Sequence, residues 1–213
     1  KPVSAAESYS EKIAVKIRTI ELLSALDMLS LVILVIMQTL KAMQMAMQNR
    51  LLEQKAFVDA HTGLPNKNAC NELLNKKDII TDSTACIMFD LNNLKIINDT
   101  KGHSKGDQLI LNFARFLRNI IPKEAFVGRY GGDEFMVVIY NTSKTEIEDI
   151  LKQLSREKDR LNSRGNDMPI DYACGWAISD ADGECTIQML LDKADYYMYE
   201  NKQSRKKSMQ STK

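Results

Sequence analysis

Apolar positions follow two different rhythms along this chain, and the change falls near residue 58. Upstream, residues 5 to 58 contain neither Gly nor Pro, which predicts one long helix. Within it Leu22, Leu26, Leu29, Ile33, Ile36, Leu40, Met43 and Met47 recur in alternating steps of four and three. That is a heptad seam, the pattern of a helix that pairs with another helix. Downstream, Gly, Pro and Asn punctuate shorter apolar runs. ACIMFDL (85–91) predicts a buried strand, and 105–121 an amphipathic helix. FVGRY (126–130) and EFMVVIY (134–140) predict two strands joined by a Gly-Gly-Asp turn. A helix capped by a Ser over 143–164, a strand over 169–179 and a helix over 186–203 complete the series. The order strand, helix, strand, strand, helix, strand predicts an α+β, ferredoxin-like (palm-type) antiparallel sheet with helices on one face. The chain therefore divides into a helix, 1–57, and an α+β domain, 58–213.

The middle of the long helix is apolar on every side. Between Leu22 and Leu40 the only charge is Asp27, and a hydrocarbon core needs about 20 such residues. Two readings stand. One is a membrane span over 22–40, followed by Lys41, Arg50 and Lys55 as at a cytoplasmic exit. The other is a helix buried in a dimer or bundle, which Ser24, Asp27, Ser30, Gln38 and Thr39 favour. The heptad seam serves both.

Composition narrows the class. The 213 residues are 44% hydrophobic, ample for a core, and 29 basic residues nearly balance 28 acidic ones. A net charge of +1 gives no bulk attraction to nucleic acid. The four cysteines, Cys70, Cys86, Cys174 and Cys185, show no CxxC spacing, which suits reduced cytosolic thiols better than disulfides or a zinc site. The chain starts at Lys1 rather than Met, so the expectation is a fragment of a longer protein.

The candidate chemistry centres on RYGGDEF, 129–135. Gly131 and Gly132 permit the positive φ of a tight hairpin, and a second glycine also lets another molecule approach the backbone. Asp133 and Glu134 then sit at the strand edge. Asp90 ends the apolar strand 85–91, which is central in a ferredoxin-like sheet and pairs with the strand after the turn. Carboxylates converging from two strands suit a hard cation such as Mg²⁺, which takes one or two carboxylates plus phosphate oxygens. After Asp90 come Lys95, Asn98, His103 and Asp107. A lysine neutralises phosphate, and Asn and Asp side chains can read a purine edge. Each has an ordinary surface or turn role, but their density beside Asp90 predicts a nucleotide pocket.

Four ordered motifs resemble one family. GGDEF at 131–135 resembles the signature of the GGDEF-type diguanylate cyclases, and the resemblance runs from residue 57 to about 207. DAHTGLPNKNA (59–69) is similar to the family's opening D-x-L-T-G-L-x-N-R. FDLNNLKIINDTKGHSKGD (89–107) is similar to F-D-x-D-x-F-K-x-I-N-D-x-x-G-H-x-x-G-D. ADYYMYENKQSRK (194–206) is similar to the closing A-D-x-A-[LM]-Y-x-A-K-x-x-G-R.

The resemblance implies condensation of two GTP into cyclic di-GMP in a symmetric homodimer, with the N-terminal helix joining two domains and relaying a signal from a sensor upstream of this chain. It implies a metal site, Mg²⁺ with Mn²⁺ as substitute, on Asp90, the Leu91 carbonyl, Asp133 and Glu134, with Glu134 as ligand or base. It implies guanine contacts from Asn98 and Asp107 with His103 nearby, phosphate contacts from Lys95, Lys202 and Lys206, substrate binding at Gly131 and Gly132, and catalytic roles for Asp133, Glu134 and Lys95. A cytoplasmic catalytic domain is expected and, on the membrane-span reading of 22–40, one attached to the inner face of a bacterial cell membrane. The departures are Asn92 for the usual Asp, Leu94 for Phe, His61 for Leu, Lys67 for Arg, Lys206 for a phosphate-binding Arg, and Ser204-Arg205 for the usual x-Gly. A catalytically silent GTP-binding module is the alternative they leave. The family's inhibitory product motif, R-x-x-D, reads Pro122-Lys123-Glu124-Ala125 here, so product inhibition by that route is predicted to be absent.

Overall fold

The computed structural model describes residues 2–76, 79–80, 82–165, 167–179 and 184–211, with backbone alone for 2–8, 54–55 and 205–211. The chain forms two compact units, Lys1–Glu53 and Gln54–Lys213.

The described residues of the first unit lie within a single helix, α1 (Pro2–Phe57). Its apolar residues over 22–40 are exposed around the whole circumference. The hydroxyls of Ser24, Ser30 and Thr39 turn back and donate to the carbonyls of Glu21, Asp27 and Ile36, at 2.8–2.9 Å. The helix thus satisfies these three hydroxyls itself in its most apolar stretch.

The second unit contains α2 (Lys67–Asn75), β1 (Ala85–Leu91), α3 (Leu94–Lys101), α4 (His103–Ile120), β2 (Phe126–Arg129), β3 (Glu134–Ile139), α5 (Lys144–Asn162), β4 (Tyr172–Ile178) and α6 (Ile187–Ser211). The antiparallel sheet runs β2-β3-β1-β4, the ferredoxin-like order, with β1 central as its continuous apolar run predicts.

Helices cover both faces of this sheet, not one. Every residue of β1 is buried, and alternate residues must point oppositely. Ala85, Ile87, Phe89 and Leu91 join Phe135, Val137, α4 and α5 in one core. Cys86 and Met88 join Met136, Val138, α2 and α6 in another. Rings of Phe89, Phe113, Phe135 and Tyr172 interlock in the first, at centroid distances of 5.0–6.1 Å. In the second, α6 lies so close to β4 that a Cβ on Gly175 would meet Met198 N at 2.1 Å and Ala194 O at 2.3 Å.

Two short helices, α2 and α3, escape the periodicity because each is under three turns. Asn66 caps α2 by accepting from the Asn68 and Ala69 amides. The expected Ser cap on α5 is Ser143, which forms a reciprocal capping box with Glu146.

Candidate active site

Packing decides where Asp90 points. Phe89 and Leu91 are committed to the α4–α5 core, so Asp90 faces the α6 side. The β1–β3 register sets Asp90 directly opposite Glu134, which shares that face. Asp133 lies one residue further out, and its carbonyl accepts from the Leu91 amide at 2.8 Å. The acids therefore come from the two expected segments, with Glu134 as the cross-strand partner of Asp90 and Asp133 beside it.

Asp90 is 7% exposed. Lys202, from α6, donates to its Oδ2 at 2.6 Å, while its Oδ1 is buried with no hydrogen-bond partner among the described residues. Burial, then Asp133, Asp90 and Asp195, push the Glu134 carboxyl above its ordinary range, against the pull of Lys202. Among the described residues no three His, Cys, Asp or Glu side chains form a closed metal-binding group. The donor set nevertheless fits a divalent cation. It offers hard oxygens, one of them buried and unpaired, and crowded negative charge that a cation relieves.

The turn itself departs from expectation. Neither Gly131 nor Gly132 has positive φ. The link is Tyr130–Asp133, closed by the Tyr130 and Gly131 amides donating to the Glu134 carbonyl at 2.9 and 3.2 Å. Gly131 matters sterically, since a Cβ there would meet Glu134 Oε2 at 2.4 Å. A Cβ on Gly132 would meet nothing within 4 Å, so its backbone faces open space.

Arg129 braces this turn and was not singled out by sequence reasoning. Its Nε and Nη2 donate to the Gly132 carbonyl at 3.3 and 2.8 Å. Its Nη1 donates to Asp59 Oδ1 and Oδ2 at 3.2 and 3.1 Å. Burial alone would raise the Asp59 carboxyl; hydrogen bonds from Thr62 and the charge of Arg129 outweigh it and hold the group below its ordinary value of 3.8. The only signal was that Asp59 opens one family motif and Arg129 stands two residues before another.

The remaining predicted residues occupy a corner built by α3 and α4. Asn93 begins it at φ 64, in the left-handed region. The Asn98 Oδ1 is buried without a partner among the described residues. A Cβ on Gly106 would lie 1.9 Å from that atom, so glycine there makes room for the amide. Lys95, His103 and Asp107 are exposed. His61 Nε2 lies 2.7 Å from the Asp107 carbonyl and donates to it. Residues 59–62 thus reach the α3–α4 corner directly through His61 and the acid turn by way of Arg129. The side chain of Lys206 lies outside the described residues.

Residues 56–208 match the family described as "Diguanylate cyclase, GGDEF domain". The chain is 31% identical over 162 residues to the signaling protein YkoW of Bacillus subtilis, covering 73% of this chain and 20% of that protein. It is 30% identical over 175 residues to diguanylate cyclase DgcP of Escherichia coli, covering 78% and 50%. Relatives at 31% identity also include proteins named cyclic di-GMP phosphodiesterases. The chain thus spans half or less of the length of these curated relatives. Its fold is similar to that of the coiled coil and GGDEF domain of DgcB from Caulobacter crescentus, solved in complex with c-di-GMP. That likeness has a TM-score of 0.68 and 20% identity and covers 78% of this chain and 91% of the other. With 153 consecutive residues matching the family, four ordered motifs and the same sheet, this chain belongs to the diguanylate cyclase GGDEF-domain family.

Proposed function

We propose that this chain is a diguanylate cyclase, joining two GTP into cyclic di-GMP with release of two pyrophosphates. What carries this reading is the turn. Asp90 and Glu134 stand opposite each other, Asp90 keeps a buried unpaired oxygen, and the α3–α4 corner begins just beyond β1. In each half-reaction the 3′-hydroxyl oxygen of one GTP bonds to the α-phosphorus of the other. The bond from that phosphorus to the pyrophosphate oxygen breaks, and the hydroxyl proton passes to a base. Such transfers depend on positioning and charge stabilisation.

Asp90, the Leu91 carbonyl, Asp133 and Glu134 would hold Mg²⁺, or Mn²⁺ in its place. A divalent ion supplies neutralisation of phosphate charge and a lowered hydroxyl pKa when bound. Glu134 either completes that ligand set or takes the hydroxyl proton. Asn98 and Asp107 read the guanine edge, with the carboxylate accepting from N1–H and N2–H, and His103 lies beside them. Lys95, Lys202 and Lys206 contact the phosphates, and the open backbone of Gly131 and Gly132 lets the nucleotide approach. In this role Lys202 moves from Asp90 toward the phosphates when nucleotide arrives. Lys206 keeps the charge of the usual Arg but not its bidentate fork.

A symmetric reaction calls for a symmetric homodimer. The heptad seam of α1 supplies one by raising the effective concentration of the second domain. Residues 22–40, with hydroxyls satisfied internally, suit attachment to the cytoplasmic membrane of a bacterium, with the catalytic domain in the cytoplasm and a sensor upstream.

Incubation of the dimeric protein with GTP and Mg²⁺, followed by chromatography, tests the reading: cyclic di-GMP and pyrophosphate are expected. A dimeric preparation that makes neither sinks it. The relatives named phosphodiesterases favour a second reading, a catalytically silent GTP-binding regulatory module, and GTP bound without turnover selects it.

A further inference from the structure

Asn92 stands where the family usually has Asp, and the structure gives it a specific partner. Its backbone N–H donates to the Asp171 carbonyl, and its side-chain Nδ2 donates to Asp171 Oδ2, both at 2.9 Å. These bonds extend the β1–β4 ladder one step beyond the Leu91–Tyr172 pair. On the other side the Leu91 amide is fixed to the Asp133 carbonyl. The peptide bond that carries the Leu91 carbonyl also carries the Asn92 N–H. Because that unit is planar and trans, fixing the N–H fixes the opposite direction of the C=O. Immediately afterwards the chain turns away through Asn93 in the left-handed region.

We propose that Asn92 and Asp171 form an amide–carboxylate clasp that aims the Leu91 carbonyl into the active site. They are positioning residues, matched to each other. An Asp at 92 in this chain would replace the donating N–H with a second acceptor facing Asp171 Oδ2, opening the clasp. The amide is therefore the partner that Asp171 requires. The functional half of this inference rests on the cyclase reading; the clasp does not.

The test compares the full chain with Asn92→Asp and with the exchanged pair Asn92→Asp/Asp171→Asn. Two quantities are read: kcat and KM for GTP, and site-resolved amide exchange at residue 92 without nucleotide or metal. The single variant is expected to lose about tenfold in kcat with KM within about twofold, because the loss lies in alignment rather than binding. Its amide at 92 exchanges faster. The exchanged pair restores both, since donor and acceptor have only traded places. A single variant equal to the parent in both readouts, or an exchanged pair as impaired as the single, overturns the clasp. Should Asn92→Asp not fold, Asp171→Ala replaces it. It removes the side-chain bond without adding charge, and unchanged kcat and unchanged exchange there overturn the proposal equally. If the parent chain makes no cyclic di-GMP, the cyclase reading fails, while the exchange data still decide whether the clasp exists.

Discussion

The acid turn and the α3–α4 corner are near neighbours in sequence, yet they are built to different tolerances. At the turn, Gly132 is held by Arg129, Arg129 by Asp59, Asp90 by Lys202, and Leu91 by Asp133. At the corner, Lys95, His103 and Asp107 are exposed, and Asn98 is placed by the space that Gly106 leaves. The contrast follows from chemistry. Carboxylates that share charge must be fixed before a ligand arrives, or repulsion scatters them. Side chains left exposed to solvent carry no such repulsion and need no fixed partners.

The strongest way to break the comparison is at the carboxylates. Asp90→Asn is expected to reduce cyclic di-GMP formation by about a hundredfold or more, measured by product chromatography. Glu134→Gln is expected to lose turnover similarly while raising the thermal midpoint of the cation-free protein near neutral pH. The sign follows from linkage. The Glu134 carboxyl is raised in the fold, so its charged form is disfavoured there and stability falls as pH rises through the folded value. The amide removes that loss. A lower midpoint for Glu134→Gln would contradict the crowding described at the turn.

Next comes the brace. Arg129→Ala leaves Asp59 without its cation and the Gly132 carbonyl unheld, which should cost about 2 kcal/mol in denaturant unfolding and lower kcat more than KM. The pH dependence of stability reports on the same pair. The Asp59 carboxyl is depressed, so its contribution is present above 3.8 and is lost as pH falls through the lower folded value. Asp59→Asn is expected to flatten the acid limb of the stability profile. Gly175→Ala tests the support of Lys202. Its methyl would strike the α6 backbone, at a cost of about 1–3 kcal/mol.

The smallest effect belongs to the corner. His61→Leu, which installs the usual family residue, removes the bond to the Asp107 carbonyl. It is expected to change stability by less than about 0.5 kcal/mol and to raise KM for GTP a few-fold. A large stability loss would mean that the corner is as tightly built as the turn.

Much of this architecture was legible in the chain. The continuous apolar run of β1, the Ser143 cap and the two strands flanking the glycines each carry a local signal, and the ladder follows. The acids were legible as a group because one segment ended an apolar run with a carboxylate and the other began one with two. Three things were not legible. The second helical layer depends on α6 finding the face of β4 that Gly175 leaves bare, a long-range contact. The one-residue register that selects Glu134 as the partner of Asp90 is set by how Phe89 and Phe135 seat in the core. The Arg129–Asp59 pair joins residues 70 positions apart, and neither residue's local pattern points to the other. Glycine at 131 was read as conformational freedom, whereas its function is to leave volume for the Glu134 side chain.

The residues just before Asp59 have a practical bearing on where this domain can be cut. The Ala56 carbonyl accepts from the amides of Asn66 and Asn68, the Phe57 carbonyl accepts from the Asn66 backbone, and Val58 bridges Pro65. A recombinant fragment starting at residue 60 would keep Asp90, Asp133 and Glu134 and still lose the stitches that hold its own first loop. The shortest self-sufficient fragment therefore begins no later than Ala56.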